Sequence, residues 1–363
     1  MKFTRLFVPL IIFAGICTAQ SADNSEKKSE AIATRATQPP SAESSNLRLT
    51  IMKTVISPEL INGIAERGCD EDGNVYLGSD SAIQPAIRKF NANGELVATF
   101  KPDTIPDVKF GFAGHFFVAS DGELYQLVGA KDSFNRYILI FKNDGSFKSS
   151  IKLDPGFVWS PASFSVFPHG EILLTGQQFA KVNGTFRPAI PFTGIVSADG
   201  RLLKRLDLEG DGQLKDAALA STAPATAPPT DHTIAGGHVV AARDGNLYVM
   251  RYQSPARISV ISPGGEILRN FQVAPDTPGA MPIEMLISGT RMAIVFNDHH
   301  KSTMKIVDME GNEVATYDLS LPGGKTKSEY LGALSCYSSI PERFTFIRQG
   351  DQEKIHLQQV EAR

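Results

Sequence analysis

Cysteine is nearly absent from this chain, with three in 363 residues, too few for a disulfide framework to hold the fold. Tryptophan occurs once. Past residue 19 no apolar run reaches the about 20 residues needed to cross a bilayer, so no transmembrane segment is expected in the mature chain. Signature motifs are missing too: there is no Gly-x-Ser-x-Gly elbow, Walker loop, set of Rossmann glycines or Cys-x-x-Cys pair. The recognisable nucleophilic, nucleotide and redox motifs are thereby removed. Basic residues are not in excess either, at 36 Lys+Arg against 39 Asp+Glu. That argues against nucleic acid, whose binders carry a basic face.

What is present begins with "MKFTRLFVPLIIFAGICTAQ". Lys2 and Arg5 precede an apolar run that ends in small residues at Thr18 and Ala19, the layout of a secretory signal peptide over residues 1–19. Cys17 resembles a lipidated cysteine, but Ile16 stands where a lipobox wants a small residue, so lipid anchoring is not expected. Residues 20–46 are rich in Ser, Ala and Pro without hydrophobic period and read as a flexible tether. The expectation is an exported protein, periplasmic or secreted, and monomeric.

From residue 47 onward the chain repeats itself. One turn recurs as "EDGNVYL" at Gly73, "SDGELYQ" at Gly122, "PHGEILL" at Gly170, "RDGNLYV" at Gly245 and, degraded, "SGTRMAI" at Gly289. A second recurs at Gly94, Gly145, Gly200, Gly265 and Gly311 as "NANGELVATF" and its relatives. Glycine supplies the positive φ of short hairpin turns, so each marks a hairpin tip. The two series interleave at 21, 23, 30, 20 and 22 residues, room for a strand, a loop and a strand. Each unit is therefore a four-stranded antiparallel meander. A sixth unit has three strands before the chain ends, and "LRLTIMKTV" at 47–55 can supply its missing outer strand. Many strands are apolar on both faces ("YILIF", "VVAA", "MAIVF"), as stacked blades require and a one-sided sheet does not. The expected architecture is all-β: a six-bladed β-propeller over 47–363, with an insertion at 207–236 between the third and fourth blades.

The "DGNVYL", "DGELYQL" and "DGNLYVM" turns, followed by outer hairpins of the "IRKFNANGEL" type, resemble the NHL-repeat and SMP-30-like (TolB-like) group of six-bladed propellers. The resemblance implies the fold. It implies no activity, since the Asn-His-Leu triplet is absent and the acidic metal ligands of SMP-30-like enzymes have no match here.

The glycine turns occupy one end of every blade, which displaces length variation to the other. Loops on a rigid scaffold carry binding and catalysis, so the expected working face holds segments such as "SDSAIQPA", "KPDTIPDVK" and "QQFAKVNGTFRPAIPF". Candidate ligand-binding residues there are Asp80, Asp107, Trp159, Arg187, Arg251 and Asp298. Trp159 either stacks on a sugar or peptide or plugs the gap between two blades. His232, His238 and His299 are candidate ligands for a divalent metal at the channel mouth, although no cofactor is required by the sequence. Cys69 and Cys336 fall on the first and last blades, neighbours in a closed ring, and form a possible disulfide if their Cα atoms approach within about 7 Å. The leading expectation is a non-enzymatic module binding a protein, peptide or carbohydrate. The alternative is a metal-dependent hydrolase or lyase.

Overall fold

The computed structural model describes residues 49–60, 64–79, 86–102, 109–131, 133–182, 185–206, 208, 237–298, 301–320, 331–349 and 354–362. The expected signal peptide, Cys17 and the tether lie outside this range, as do Asp80, Asp107, His232, His299 and residues 209–236 of the insertion. The described chain belongs to the compact unit Ser44–Arg363. It contains 24 strands and, among the described residues, no α-helix.

The strands form six four-stranded antiparallel sheets. The first blade runs β2 (Ile64–Cys69), β3 (Val75–Ser79), β4 (Ile87–Phe90), β5 (Leu96–Phe100). The second runs β6 (Phe110–Val118), β7 (Leu124–Ala130), β8 (Arg136–Phe141), β9 (Phe147–Leu153). The third runs β10 (Trp159–Val166), β11 (Ile172–Val182), β12 (Thr185–Val196), β13 (Leu202–Arg205). The fourth runs β14 (Gly237–Ala241), β15 (Leu247–Arg251), β16 (Ala256–Ile261), β17 (Ile267–Val273), and the fifth β18 (Met281–Ser288), β19 (Arg291–Asn297), β20 (Ser302–Asp308), β21 (Glu313–Asp318). The sixth comprises β22 (Ala333–Ser339), β23 (Glu342–Gln349) and β24 (Lys354–Ala362), completed on its outer edge by β1 (Leu49–Leu60).

Ring closure is therefore a strand pairing. β1 lies antiparallel to β24 from Leu49 opposite Ala362 to Leu60 opposite Lys354, as the missing fourth strand of the last unit predicts. The innermost strands β2, β6, β10, β14, β18 and β22 contact one another in that order and back to β2, which sets them around a common axis.

All ten glycines that mark the two turn series have positive φ, from 58° to 93°. In the first blade Gly73 N–H donates to Asp70 O at 3.1 Å while Asp70 N–H donates to Asn74 O at 3.1 Å, the three-residue hairpin that needs a left-handed residue at its close. Gly200 has a second reason to be glycine. A Cβ there would stand 2.0 Å from Lys152 O of the neighbouring blade.

The core is divided rather than single. Six apolar clusters each span one interface between adjacent blades. Strands such as β15, buried at all five positions, serve two interfaces at once, which explains why they read as continuous apolar runs. The expected loop "QQFAKVNGTFRPAIPF" is instead a β-ribbon: β11 and β12 continue to Val182 opposite Thr185. Their 11 and 12 residues compare with 5 and 4 in β3 and β4.

Candidate functional site in the axial channel

The inner strands do more than stack. At the position seven residues before the first-turn glycine they carry Glu66, His115, Ser163 and His238 in the first four blades. In the fifth blade, whose hairpin is tighter, the equivalent residue is Glu284, three before the Ile287 that pairs with Met292, as His238 is three before the Ala241 that pairs with Leu247. Five blades thus carry a polar residue at the same register of their inner strands, with Arg67 beside Glu66 in β2.

Bulges help to aim these side chains. β2 shifts register between Ile64 and Glu66, β6 between Ala113 and Phe116, β10 between Pro161 and Ser163, and β18 between Pro282 and Glu284. A bulge inserts an unpaired residue and turns the local strand direction. Only in β14 does His238 sit in unbroken register, opposite Met250.

The result is a cluster that meets across the axis. Arg67, next to Glu66, donates through Nε to Leu334 O of the sixth blade at 3.0 Å and through Nη2 to Glu284 Oε2 of the fifth. His238 Nε2 stands 3.3 Å from the other Glu284 oxygen, Oε1. His115 Nδ1 lies 3.3 Å from Glu66 Oε2. The two imidazoles approach edge to face with centroids 6.0 Å apart, and His115 also packs on the Phe164 ring at 5.7 Å. Side-chain exposure is 8% for Glu284, 18% for His238 and 22% for Arg67. Ser163 is buried, and its Oγ has no hydrogen-bond partner.

Burial sets the protonation states. Desolvation pushes the Glu284 carboxyl up to about 7, against the pull of the Arg67 guanidinium and with help from the Glu66 charge. Desolvation, with positive charge from His115 and Arg67, pushes His238 down to about 3. His238 is accordingly neutral near pH 7, and its contact with Glu284 is an imidazole–carboxyl pair sharing one proton rather than an ion pair. Tyr252, just past the loopward end of β15, is pushed up to about 12 by desolvation and by the Glu284 and Glu66 charges. It is half-exposed, so the cluster has an aromatic residue near its loopward mouth.

The opposite, turnward end of the channel is built differently. A cavity of about 1380 Å³ opens there, walled by inner-strand ends that include Cys69, Val166, Ala241, Ile287 and Cys336. Acidic residues rim it, but the hairpins use them. Asp70 accepts from the N–H groups of Asp72 and Asn74, from Tyr76 Oη at 3.0 Å, and pairs with Lys89 Nζ at 3.1 Å. Burial works against its ionisation, yet the hydrogen bonds from Asn74 and Lys89 prevail and hold its carboxyl below the usual range. Asp244 similarly accepts from Asn246 N–H and Tyr248 Oη. One exposed pair, Arg243 Nη2 to Glu71 Oε2 at 3.0 Å, links opposite blades over this opening.

Of the residues singled out from sequence that lie among the described residues, only His238 belongs to the cluster. Trp159 is a core residue at 2% exposure, edge-on to Phe192 at 5.7 Å; its surroundings are those of a plug between blades. Arg251 is buried at the end of β15 opposite Gly237. Asp298 caps a turn, accepting from Lys301 N–H at 2.6 Å. Arg187 lies on β12 within the ribbon, opposite Ala180. Among the described residues no group of three or more His, Cys, Asp or Glu is arranged to hold a metal ion. In the cluster the Glu284 carboxylate is instead taken by Arg67. Cys69 and Cys336 are free thiols at the seam between first and last blades.

No protein-family model matches the chain, and no curated protein does. Solved structures that align include a protein of unknown function from Bacteroides caccae, at 12% identity over 70% of this chain and 81% of that one, with a TM-score of 0.45. A PQQ-bound aldose sugar dehydrogenase from Streptomyces coelicolor aligns at 10% identity over 87% and 98%, TM-score 0.45. An oxidoreductase from Thermus thermophilus, described as a glucose dehydrogenase, aligns at 12% identity over 86% and 99%, TM-score 0.41. Likeness of this degree carries nothing about ligand or reaction.

Proposed function

We propose that this is a binding propeller that takes a polar ligand, a carbohydrate or a peptide, from the loop face against the ring of Glu66, His115, Ser163, His238 and Glu284. The observation that carries the reading is the ring itself. Withdrawing charged groups from water costs several kcal/mol each, and an apolar replacement is often as stable. A polar residue from each of five blades at one level, with the Ser163 hydroxyl unsatisfied and Arg67 reaching over to Glu284, therefore suits recognition better than folding. Export through the signal peptide, with the tether leading to the propeller, belongs to the same proposal, as does kinship with the NHL and SMP-30-like group.

The test is a thermal-shift and NMR titration of the purified full chain against a panel of oligosaccharides and short peptides. A ligand that stabilises the wild type and loses at least about tenfold in affinity in both Ser163→Ala and Glu284→Gln supports the reading. A ligand indifferent to both substitutions but lost on Arg243→Ala would move the site to the turn end and overturn it.

A second reading has its own observation. Glu284, pushed up to about 7 beside a neutral imidazole, is a group poised for proton transfer, as a hydrolase or lyase requires. The metal-dependent form of that reading rests on His232 and His299, outside the described residues. Stoichiometric metal in the purified protein, lost in His238→Ala, would support it.

A further inference from the structure

We propose that Cys69 and Cys336 form a dithiol site that a small-molecule disulfide oxidises through the turnward cavity, joining the first and last blades covalently where the ring closes. Two observations carry this. β2 and β22 run side by side, and their contacts advance in step: Arg67 Nε donates to Leu334 O at 3.0 Å, and Ser335 Oγ donates to Gly68 O at 3.5 Å. The next residues along both strands are Cys69 and Cys336, and Cys69 packs against the same apolar seam cluster that contains Cys336. Both also line the cavity of about 1380 Å³, so the pair can be reached from solvent although Cys336 is only 7% exposed.

The chemistry divides between them. Cys69 is the more open, half-buried against the seam cluster, and is the sulfur placed to attack. Its thiolate attacks one sulfur of oxidised glutathione, forming a mixed disulfide and releasing one glutathione thiol. Cys336 then loses its proton and attacks the Cys69 sulfur, releasing the second. Two protein thiols become one S–S bond; two electrons pass to the oxidant, whose disulfide becomes two thiols. Burial and the neighbouring Cys69 push the Cys336 thiol up, which fits the resolving partner rather than the first nucleophile.

The bond would join the two sides of the closing seam, where the β1–β24 pairing completes the last blade and the Arg67–Leu334 and Ser335–Gly68 hydrogen bonds and an apolar cluster link it to the first. The experiment treats the full chain with oxidised glutathione, traps free thiols by alkylation and maps peptides by mass spectrometry, with hydrogen exchange read at β1 and β24. The expected result is a peptide pair joined through Cys69 and Cys336, reversed by a dithiol reductant, with slower exchange at the seam. Cys69→Ser should abolish the joined pair and leave Cys336 unmodified until the protein is unfolded. Should that variant fail to fold, a time course on the wild type decides instead: a Cys69 glutathione adduct that appears and then gives way to the joined pair supports the proposal. An adduct that persists on Cys69, or two thiols that stay fully alkylatable in excess oxidant, overturns it.

Discussion

The two ends of the axial channel are made from the same six strands and could hardly differ more. Loopward, ionisable side chains from four blades meet across the axis, all of them in low exposure except Glu66. Turnward, the walls mix apolar and uncharged polar side chains with two thiols, and charges on the rim sit in hairpin hydrogen bonds or exposed pairs. Each end also has an arginine that reaches from one blade to a distant one. Arg67 does so in a desolvated setting at 22% side-chain exposure, Arg243 in an open one at 71%. The contrast shows that chain repetition fixes the scaffold while the dielectric surroundings decide what the same residue types can do.

The largest expected effect is on the pH dependence of stability, and it tilts in opposite directions for the two buried partners. Glu284 titrates near 4.5 when unfolded and about 7 when folded. The stability gained by holding it protonated is complete below pH 4.5 and lost as pH climbs to 7, about 3 kcal/mol in all. For His238 the values are 6.5 and about 3, so its contribution is complete above 6.5 and lost as pH falls to 3, about 4–5 kcal/mol. Between pH 4.5 and 6.5 the two offset. Urea titrations across pH should therefore show a flat middle for the wild type, a steady fall toward acid for Glu284→Gln, and a fall toward about pH 7 for His238→Asn. A flat middle in all three would mean the cluster is solvated.

Next in size is the comparison of the two arginines. Arg67→Ala strands the Glu284 carboxyl and should cost about 3 kcal/mol above about pH 7, less in acid where that group is neutral. Arg243→Ala removes an exposed pair and should cost under about 0.5 kcal/mol. Equal losses in urea midpoints would erase the distinction between the ends. Within the turnward end, Gly200→Ala must displace the Lys152 carbonyl and should cost about 2–4 kcal/mol. Gly73→Ala meets nothing within 4 Å and is strained only by its φ of +78°, about 1 kcal/mol. Smallest in energy but easiest to read, the emission of Trp159 should be blue-shifted and resistant to acrylamide until global unfolding, since its ring is buried against Phe192 at the blade interface.

The propeller and its closing strand are legible in the sequence because they rest on local chemistry that glycine and apolar periodicity report directly. The turn residues need positive φ, and the strands between blades need two apolar faces. The ribbon of β11 and β12 reads as a loop because Asn183, Gly184 and Pro188 signal turns, although the spacing of 30 between the two glycines of that blade already demands longer strands. Among the described residues the site is legible only at His238. Attention to loops passes over Glu66, His115, Ser163 and Glu284, whose signal is a polar residue at one fixed distance before the turn hairpin. Two things have no signal in the sequence: the bulges that re-aim those residues, and the reach of Arg67 past the sixth blade to the fifth.

Leu49 and Ala362 face each other in one sheet, so the order in which the chain visits the blades has no privileged starting point. A circular permutant joined across that pair by a short linker and opened at the exposed hairpin around Gly145 would keep every strand and every blade interface. It would convert the seam of the sixth blade from a zipper between two ends into an ordinary stretch of continuous chain.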